Sequence, residues 1–246
     1  MKINISNKSA GFPTVRLRRL RRSTAIRDLM QEIHVSVKDL ICPLFVQEGS
    51  KKPQIIGSMP EIQRIPLSKI IDEVQAISDL GIRAIILFGI PYRKDDKGSS
   101  AFDDNGVVQQ SAALIRKHFG DKIAIITDVC LCQYTSHGHC GIVVKKKVDN
   151  DSSIDTLTKI AVSHARAGVD IVAPSAMMDG QVKAIREGLD EAGFTDIAII
   201  GYSAKHASTL YAPFRDAAHC TPEFGDRRTY QMPFTNIGEA MREIDM

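Results

Sequence analysis

Three cysteines fall within eleven residues, at Cys130, Cys132 and Cys140, with His137 and His139 between them. In a strand, residues two apart point to one side, so Cys130 and Cys132 aim their sulfurs together. A loop containing Gly138 and Gly141 can fold back and return Cys140 to them. Three convergent thiolates suit a borderline-soft ion such as zinc. Three ligands leave a fourth position open, as catalytic zinc sites do, whereas structural sites are closed by four protein ligands. His137 or His139 could close this one, which is the structural alternative. Buried apolar cysteines, or a disulfide pair, are the alternatives without a metal. The Asp128 carboxylate beside the triad favours the catalytic version.

A second cluster lies further along. The apolar run IAIIGY (197–202) leads into GYSAKHAS, which places Lys205 just beyond a strand end. Desolvation at an apolar mouth lowers the pKa of an ammonium, and the neutral amine can attack a carbonyl to form a Schiff base. An ordinary solvated lysine is the alternative. Beyond it stand Arg215, in APFRDA, and Arg227, in FGDRRTYQMP, with Arg228 and Gln231 close by. The rigid guanidinium fork matches a carboxylate. Two arginines on a long stretch marked by glycine and proline suggest a lid over an acidic substrate. Surface pairing with Asp216 and Asp226 is the bland alternative.

The elements that must position these groups alternate. Buried strands are expected over 39–46 (DLICPLFV), 83–90 (RAIILFGI), 123–129, 170–174 (DIVAP) and 197–202. Helices are expected over 67–80, 107–118, from a Ser152 or Ser153 cap to Gly168, and around Val182, Ile185 and Leu189 up to Gly193. Continuous apolar strands between amphipathic helices imply a parallel sheet. The chemical residues follow strand ends, where barrels place their sites. The expectation is therefore an α/β fold, a TIM (β/α)8-type barrel that is incomplete, with about five of eight strands. An open doubly wound sheet is second, without a glycine-rich dinucleotide fingerprint to support it. The stretch 203–233 shows little periodicity, and a last helix is expected from Asn236.

Composition bounds the function. The 246 residues are 43% hydrophobic and 25% charged, ordinary values for one globular domain, and the net charge of +3 is too small to imply nucleic acid. No apolar run reaches the roughly 18 residues of a membrane helix. Five cysteines, clustered at ligand spacing, fit a reducing cytoplasm better than a disulfide framework.

The segment TDVCLCQYTSHGHCG resembles the zinc-site signature of the porphobilinogen synthase, or delta-aminolevulinic acid dehydratase, family. IGYSAKHASTLYAPFRDAA resembles the family's lysine-bearing segment. RLRRLRRSTAIRDL, with Arg16, Arg18, Arg19, Arg21 and Arg22, resembles its amino-terminal arm, which reaches across to a neighbouring subunit. That sets an arm over 1–35 and a partial barrel over 36–246. The resemblance implies a cytoplasmic lyase of heme and porphyrin biosynthesis that condenses two 5-aminolevulinate molecules to porphobilinogen. Lys205 would hold the A-site substrate as an imine, Cys130, Cys132 and Cys140 would hold Zn2+, and Asp128 would transfer a proton or orient the amine. Arg215, Arg227 and Gln231 would bind the substrate carboxylate, with Ser175 (in VAPSAMMDG) in the same neighbourhood. A homo-oligomer, an octamer built from dimers through the arm, is implied as well, and a supplementary Mg2+ site stays open. Nucleic acid and membrane partners are not expected.

Two departures stand out. No segment resembling the family's MVKP, which bears a second Schiff-base lysine, occurs in the 246 residues, and a later serine and tyrosine are missing too. A chain shortened at its carboxy terminus and inactive alone is the expectation, with exposed sheet edges and an uncovered barrel interior. Ala212 stands where the family usually has glycine, which would stiffen the lid. Two rivals remain: another Schiff-base barrel such as a class I aldolase, and a non-catalytic zinc-binding remnant associated with a full-length homologue.

Overall fold

Burial on both faces marks the central strands of this chain. In Ile41–Gln47 (β1), Leu44, Phe45 and Val46 are all buried although they point alternately to opposite sides. The computed structural model describes residues 11–246. These fall into two compact units, one ending at Ser36 and one running from Val37 to Met246. In the first, a 3-10 turn, Leu17–Arg21, precedes a short helix, Thr24–Leu29 (α1), capped by Ser23, whose hydroxyl accepts from the Ile26 N–H at 3.3 Å. Neither buries a residue. The first ten residues of the expected arm lie outside the described residues.

In the second unit β1 is followed by Gln54–Ile55 (β2), Gln63–Pro66 (β3) and the helix Ile70–Asp79 (α2). Then come Ala84–Ile90 (β4), Val107–Phe119 (α3), Ala124–Val129 (β5), and the small hairpin Val143–Val144 (β6) and Lys147–Val148 (β7). Asn150–Arg166 (α4), Ile171–Pro174 (β8), Gln181–Glu191 (α5), Ala198–Ile199 (β9), Ala212–Ala217 (α6) and Ile237–Asp245 (α7) complete it. The main sheet has the order β2-β3-β1-β4-β5-β8-β9 and is parallel except for β2. Five of its strands answer to the five apolar runs, and the sheet does not close on itself.

One face packs on the helices: Leu44, Ile85, Leu87 and Ile125 meet Val74, Ile115, Ile160, Ile185 and Leu189. The other face, the interior of the arc, carries Phe45, Phe88 and Ile90 with Ile56 and Ala217. Its expected exposure is not what is found. Phe214 of α6 packs on Phe45 and Phe88, with ring centroids 6.0 and 5.1 Å away, and Phe45 stacks on Phe88 at 5.3 Å. The β1 edge is likewise occupied, by β3 and then β2. Both α6 and this hairpin come from stretches without helical or strand periodicity.

Smaller differences have local causes. Helix α4 is capped by Asp149, not by Ser152 or Ser153: its carboxylate accepts from the Ser152 N–H at 3.0 Å and the Ser152 hydroxyl at 2.5 Å. Ser153 faces inward and accepts from the Ile142 N–H at 2.8 Å. The fifth strand is short, yet the Ile200 and Tyr202 N–H groups still donate to Val172 and Pro174 at 3.0 Å, which keeps the segment aligned with β8.

His164 on α4 is fully buried, and neither ring nitrogen has a partner among the described residues. Burial lowers its pKa to about 3. Between its ordinary 6.5 and that value the unfolded chain binds the proton and the folded chain does not, so stability is complete above pH 6.5 and is lost as the pH falls. The slope reaches about 1.4 kcal/mol per pH unit. His164→Leu should remove that acid sensitivity and raise stability by about 1–2 kcal/mol, since an unsatisfied buried donor costs about 1–3 kcal/mol. Urea midpoints at pH 7 and pH 5 measure both effects.

Candidate active site

The carboxyl ends of three neighbouring parallel strands bring the chemical residues together. Asp128 lies in register with Ala173 and Val129 with Pro174, so the end of β5 stands beside the end of β8. Ser175 follows directly, and its N–H donates to Val129 at 3.2 Å. The Ser175 hydroxyl donates to one Asp128 oxygen at 2.6 Å, and the Gln133 amide donates to the other at 2.8 Å. Lys205, beyond β9, donates from Nζ to the Ser175 carbonyl at 2.8 Å. The rings of Tyr202 and Tyr211 each lie 5.5 Å from that nitrogen. Asp128, Ser175 and Lys205 are all buried, so this chain of hydrogen bonds is shielded from water.

The cysteine loop folds back as its glycine spacing suggests. Tyr134 and Thr135 N–H both donate to Leu131 at 2.9 Å, Gly138 takes a φ of 71°, and Thr135 Oγ1 donates to the His139 carbonyl at 3.0 Å. Cys140 thereby returns to Cys130 and Cys132. The three sulfurs lie within 4.8 Å of one another, with those of Cys130 and Cys132 3.5 Å apart, and all three are buried. All five cysteines are free, which rules out the disulfide alternative. Neither histidine belongs to the cluster among the described residues. His139 has both ring nitrogens engaged, with the Tyr230 hydroxyl at 3.0 Å and the Phe224 carbonyl at 2.9 Å. His137 accepts the His139 N–H at 3.1 Å and meets the Asp96 carbonyl at 3.3 Å. The donor set that could hold a metal is therefore three thiols, a set suited to a thiophilic ion.

Electrostatics differ from expectation at the lysine. Burial pushes the Lys205 ammonium down, but the negative charge of Cys140, Cys130, Asp128 and Cys132 outweighs it and holds the pKa above its ordinary value. Position at a strand end supplied the desolvation, but the loop had to fold before the opposing charges could be located. Asp128 is raised by burial, against the opposite pull of Lys205, Gln133 and Ser175. Within the triad Cys140 is held well below the ordinary thiol range by hydrogen bonds from Cys130 and Cys132, whereas Cys132 is held well above it.

The aperiodic stretch 203–233 covers these groups. The Met232 N–H donates to the Lys205 carbonyl at 3.0 Å, and the Ala207 N–H donates to Met232 at 2.9 Å. Arg227 is buried and donates from Nη2 to the Gly138 and Cys220 carbonyls at 3.0 and 2.6 Å. Arg215 donates to the Ser208 carbonyl at 2.9 Å, and its Nε has no partner among the described residues. Gln231 is 3% exposed, and neither atom of its amide has a partner among the described residues. It borders the largest cavity described, about 1030 Å³, together with His139, Tyr230, Met178 and Ser203. Neither Lys205 nor any of the cysteines lines that cavity.

Sequence reasoning missed Cys220, Tyr230, Tyr211 and Gln133. Cys220 lies against Cys132 and Arg227; the hydrogen bond with Cys132 outweighs burial and, with Arg227, brings its thiol down to about 7. Nothing local to a residue 80 positions beyond the loop could reveal that contact. Gly138 shows how tight the seam is: a Cβ there would lie 2.4 Å from the Thr221 carbonyl oxygen, at a φ that side chains avoid. Gly138→Ala should cost about 2–3 kcal/mol in a urea titration.

Comparison with known proteins decides the family. The family model for delta-aminolevulinic acid dehydratase matches residues 14–246. The chain belongs to the delta-aminolevulinic acid dehydratase family. It is 52% identical over 235 residues to the delta-aminolevulinic acid dehydratase of Methanothermus sociabilis, covering 96% of this chain and 73% of that protein. The Bacillus subtilis enzyme of the same name is 48% identical over 228 residues, covering 93% and 70%. The crystal structure of the Toxoplasma gondii dehydratase, in complex with its reaction product porphobilinogen, superposes with a TM-score of 0.90 at 39% identity. That match covers 94% of this chain and 66% of the other. The family is one of lyases with the TIM-barrel fold, and the open parallel sheet corresponds to an arc of that barrel. No helix among the described residues is long and apolar enough to cross a membrane.

Proposed function

We propose that this chain carries the porphobilinogen synthase site, in which two 5-aminolevulinate molecules are condensed to porphobilinogen with loss of two waters. The observation that carries the reading is the hydrogen-bonded line from Lys205 through Ser175 to Asp128, beside three convergent thiols. Lys205 loses its proton and attacks the substrate ketone, giving an imine and water. The imine acidifies the neighbouring C–H. Asp128, whose burial favours the protonated form, exchanges a proton with that carbon or holds the substrate amine. Ser175 and Gln133 fix the carboxylate in place. Arg215, Arg227 and the unpartnered Gln231 amide receive the substrate carboxylate, which supplies orientation.

Cys130, Cys132 and Cys140 would hold a zinc ion, which when bound supplies Lewis-acid polarisation at the site. The free thiols suit a reducing cytoplasm. The amino-terminal unit is the proposed contact with further copies of the chain: Phe12, Leu17, Leu29 and Ile33 are all more than 60% exposed within it.

Borohydride reduction of the chain mixed with 5-aminolevulinate tests the reading. One reduced adduct should map to the peptide containing Lys205. An adduct spread over surface lysines, or none, would refute it.

A further inference from the structure

The helix that bears Arg215 is fastened to the β2–β3 hairpin by contacts that neither the imine nor the metal chemistry uses. Arg64, 7% exposed on β3, donates from Nε to the Ala217 carbonyl at 2.8 Å and from Nη2 to the Asp216 carbonyl at 2.6 Å. These are carbonyls of the last turn of α6, which a helix cannot satisfy from within itself. The Asp216 carboxylate lies 3.6 Å from the same guanidinium and accepts from the N–H and hydroxyl of Ser58 at 3.2 and 2.6 Å. Ser58 Oγ also lies 3.3 Å from the Pro213 carbonyl, and Phe214 is seated on Phe45 and Phe88.

Pro213, Phe214, Asp216 and Ala217 are therefore all bound to the barrel. Arg215 between them reaches the other way, to the Ser208 carbonyl. The turn just before α6 places the Tyr211 ring 5.5 Å from Lys205 Nζ. Lys205 itself is held independently, by Ser175 and through Met232.

We infer that Arg64 and Ser58 are positioning residues, a clasp that sets α6 so that Arg215 meets the substrate carboxylate while Lys205 meets the ketone. The inference rests on the proposed carboxylate role of Arg215. Loosening the clasp moves the carboxylate contact and leaves the lysine where it is, so substrate affinity changes and imine chemistry at saturation does not.

Borohydride trapping on the full chain separates the two, because its dependence on 5-aminolevulinate concentration yields a half-saturation value and a saturating rate. Arg215→Leu should raise half-saturation by about 10- to 100-fold, the scale of a lost charge-assisted pair. Arg64→Leu should raise it about tenfold and Ser58→Ala about threefold, both with the saturating rate unchanged. Arg64→Lys, which keeps a donor for one carbonyl, should recover part of the loss. Aminoacetone, the same aminoketone without the carboxylate arm, should be trapped equally by all variants.

Ser58→Ala carries the test if Arg64→Leu does not fold. Wild-type half-saturation in Ser58→Ala and Arg64→Lys, with Arg215→Leu impaired, overturns the clasp alone. So does an equal loss with aminoacetone, which would mean general destabilisation. Wild-type half-saturation in Arg215→Leu overturns the carboxylate reading and the clasp with it.

Discussion

Lys205→Ala is expected to abolish the reducible adduct altogether and to lower pyrrole formation, in any assembly that supports it, by on the order of a thousandfold or more. The amine is the only group in the hydrogen-bonded line that can form an imine with a ketone; the Ser175 hydroxyl is already committed to Asp128 at 2.6 Å, and neither it nor a thiol gives a reducible adduct. Lys205→Arg is the sharper control. It keeps a cation opposite Asp128 and the thiols but cannot deprotonate to attack a carbonyl. The pH dependence follows from the raised pKa. Burial lowers it, but Cys140, Cys130, Asp128 and Cys132 more than offset burial, so the neutral fraction at pH 7 is below that of a free lysine. The trapping rate should therefore climb about tenfold per pH unit across the neutral range, without a plateau below the ordinary lysine value. A pH-independent rate, or an adduct in Lys205→Arg, would remove the lysine from the mechanism.

Cys132→Ala should abolish tight metal binding. Losing a supporting second-layer contact already weakens a metal site about 10- to 100-fold, so the loss of one of three sulfur ligands should exceed about a hundredfold. His137→Gln and His139→Gln should leave affinity within a few-fold, because the hydrogen bonds of both rings run to Asp96, Tyr230 and Phe224 and not to the sulfurs. Affinity should rise steeply with pH: the Cys132 thiol is held well above its ordinary range by hydrogen bonds to Cys130, Cys140 and Cys220 and by burial, and a ligand thiol must release its proton. Competition with a chromophoric chelator, at several pH values, measures all three effects. Unchanged affinity in Cys132→Ala would end the three-thiol assignment, and a large loss in His137→Gln would restore the closed structural site.

Much of this was open to inspection in the chain itself. The five parallel strands are legible because each is a continuous apolar run, and their helices because apolar residues recur at helical spacing within each, as Ile70, Val74 and Ile77 do in α2 and Leu157, Ile160 and Ala161 in α4. Cys130, Cys132 and Cys140 are legible as a cluster because they are close in sequence and glycine allows the return. The hairpin β2–β3 and the helix α6 were not legible. Ser58, Arg64 and Asp216 look like surface residues until they meet across more than 150 positions.

What the amino-acid sequence determined alone is the set of candidate groups and the strand ends that carry them, since periodicity and short-range spacing are local properties. Tertiary structure decided the rest: that both histidines hydrogen-bond to other loops and lie outside the sulfur cluster, that Cys220 lies against Cys132, that Phe214 covers the interior of the arc, and that Asp128 and the thiols gather around Lys205. Each depends on charges, rings or carbonyls brought together from distant parts of the chain, and electrostatic and packing energies follow distance in space rather than separation in sequence.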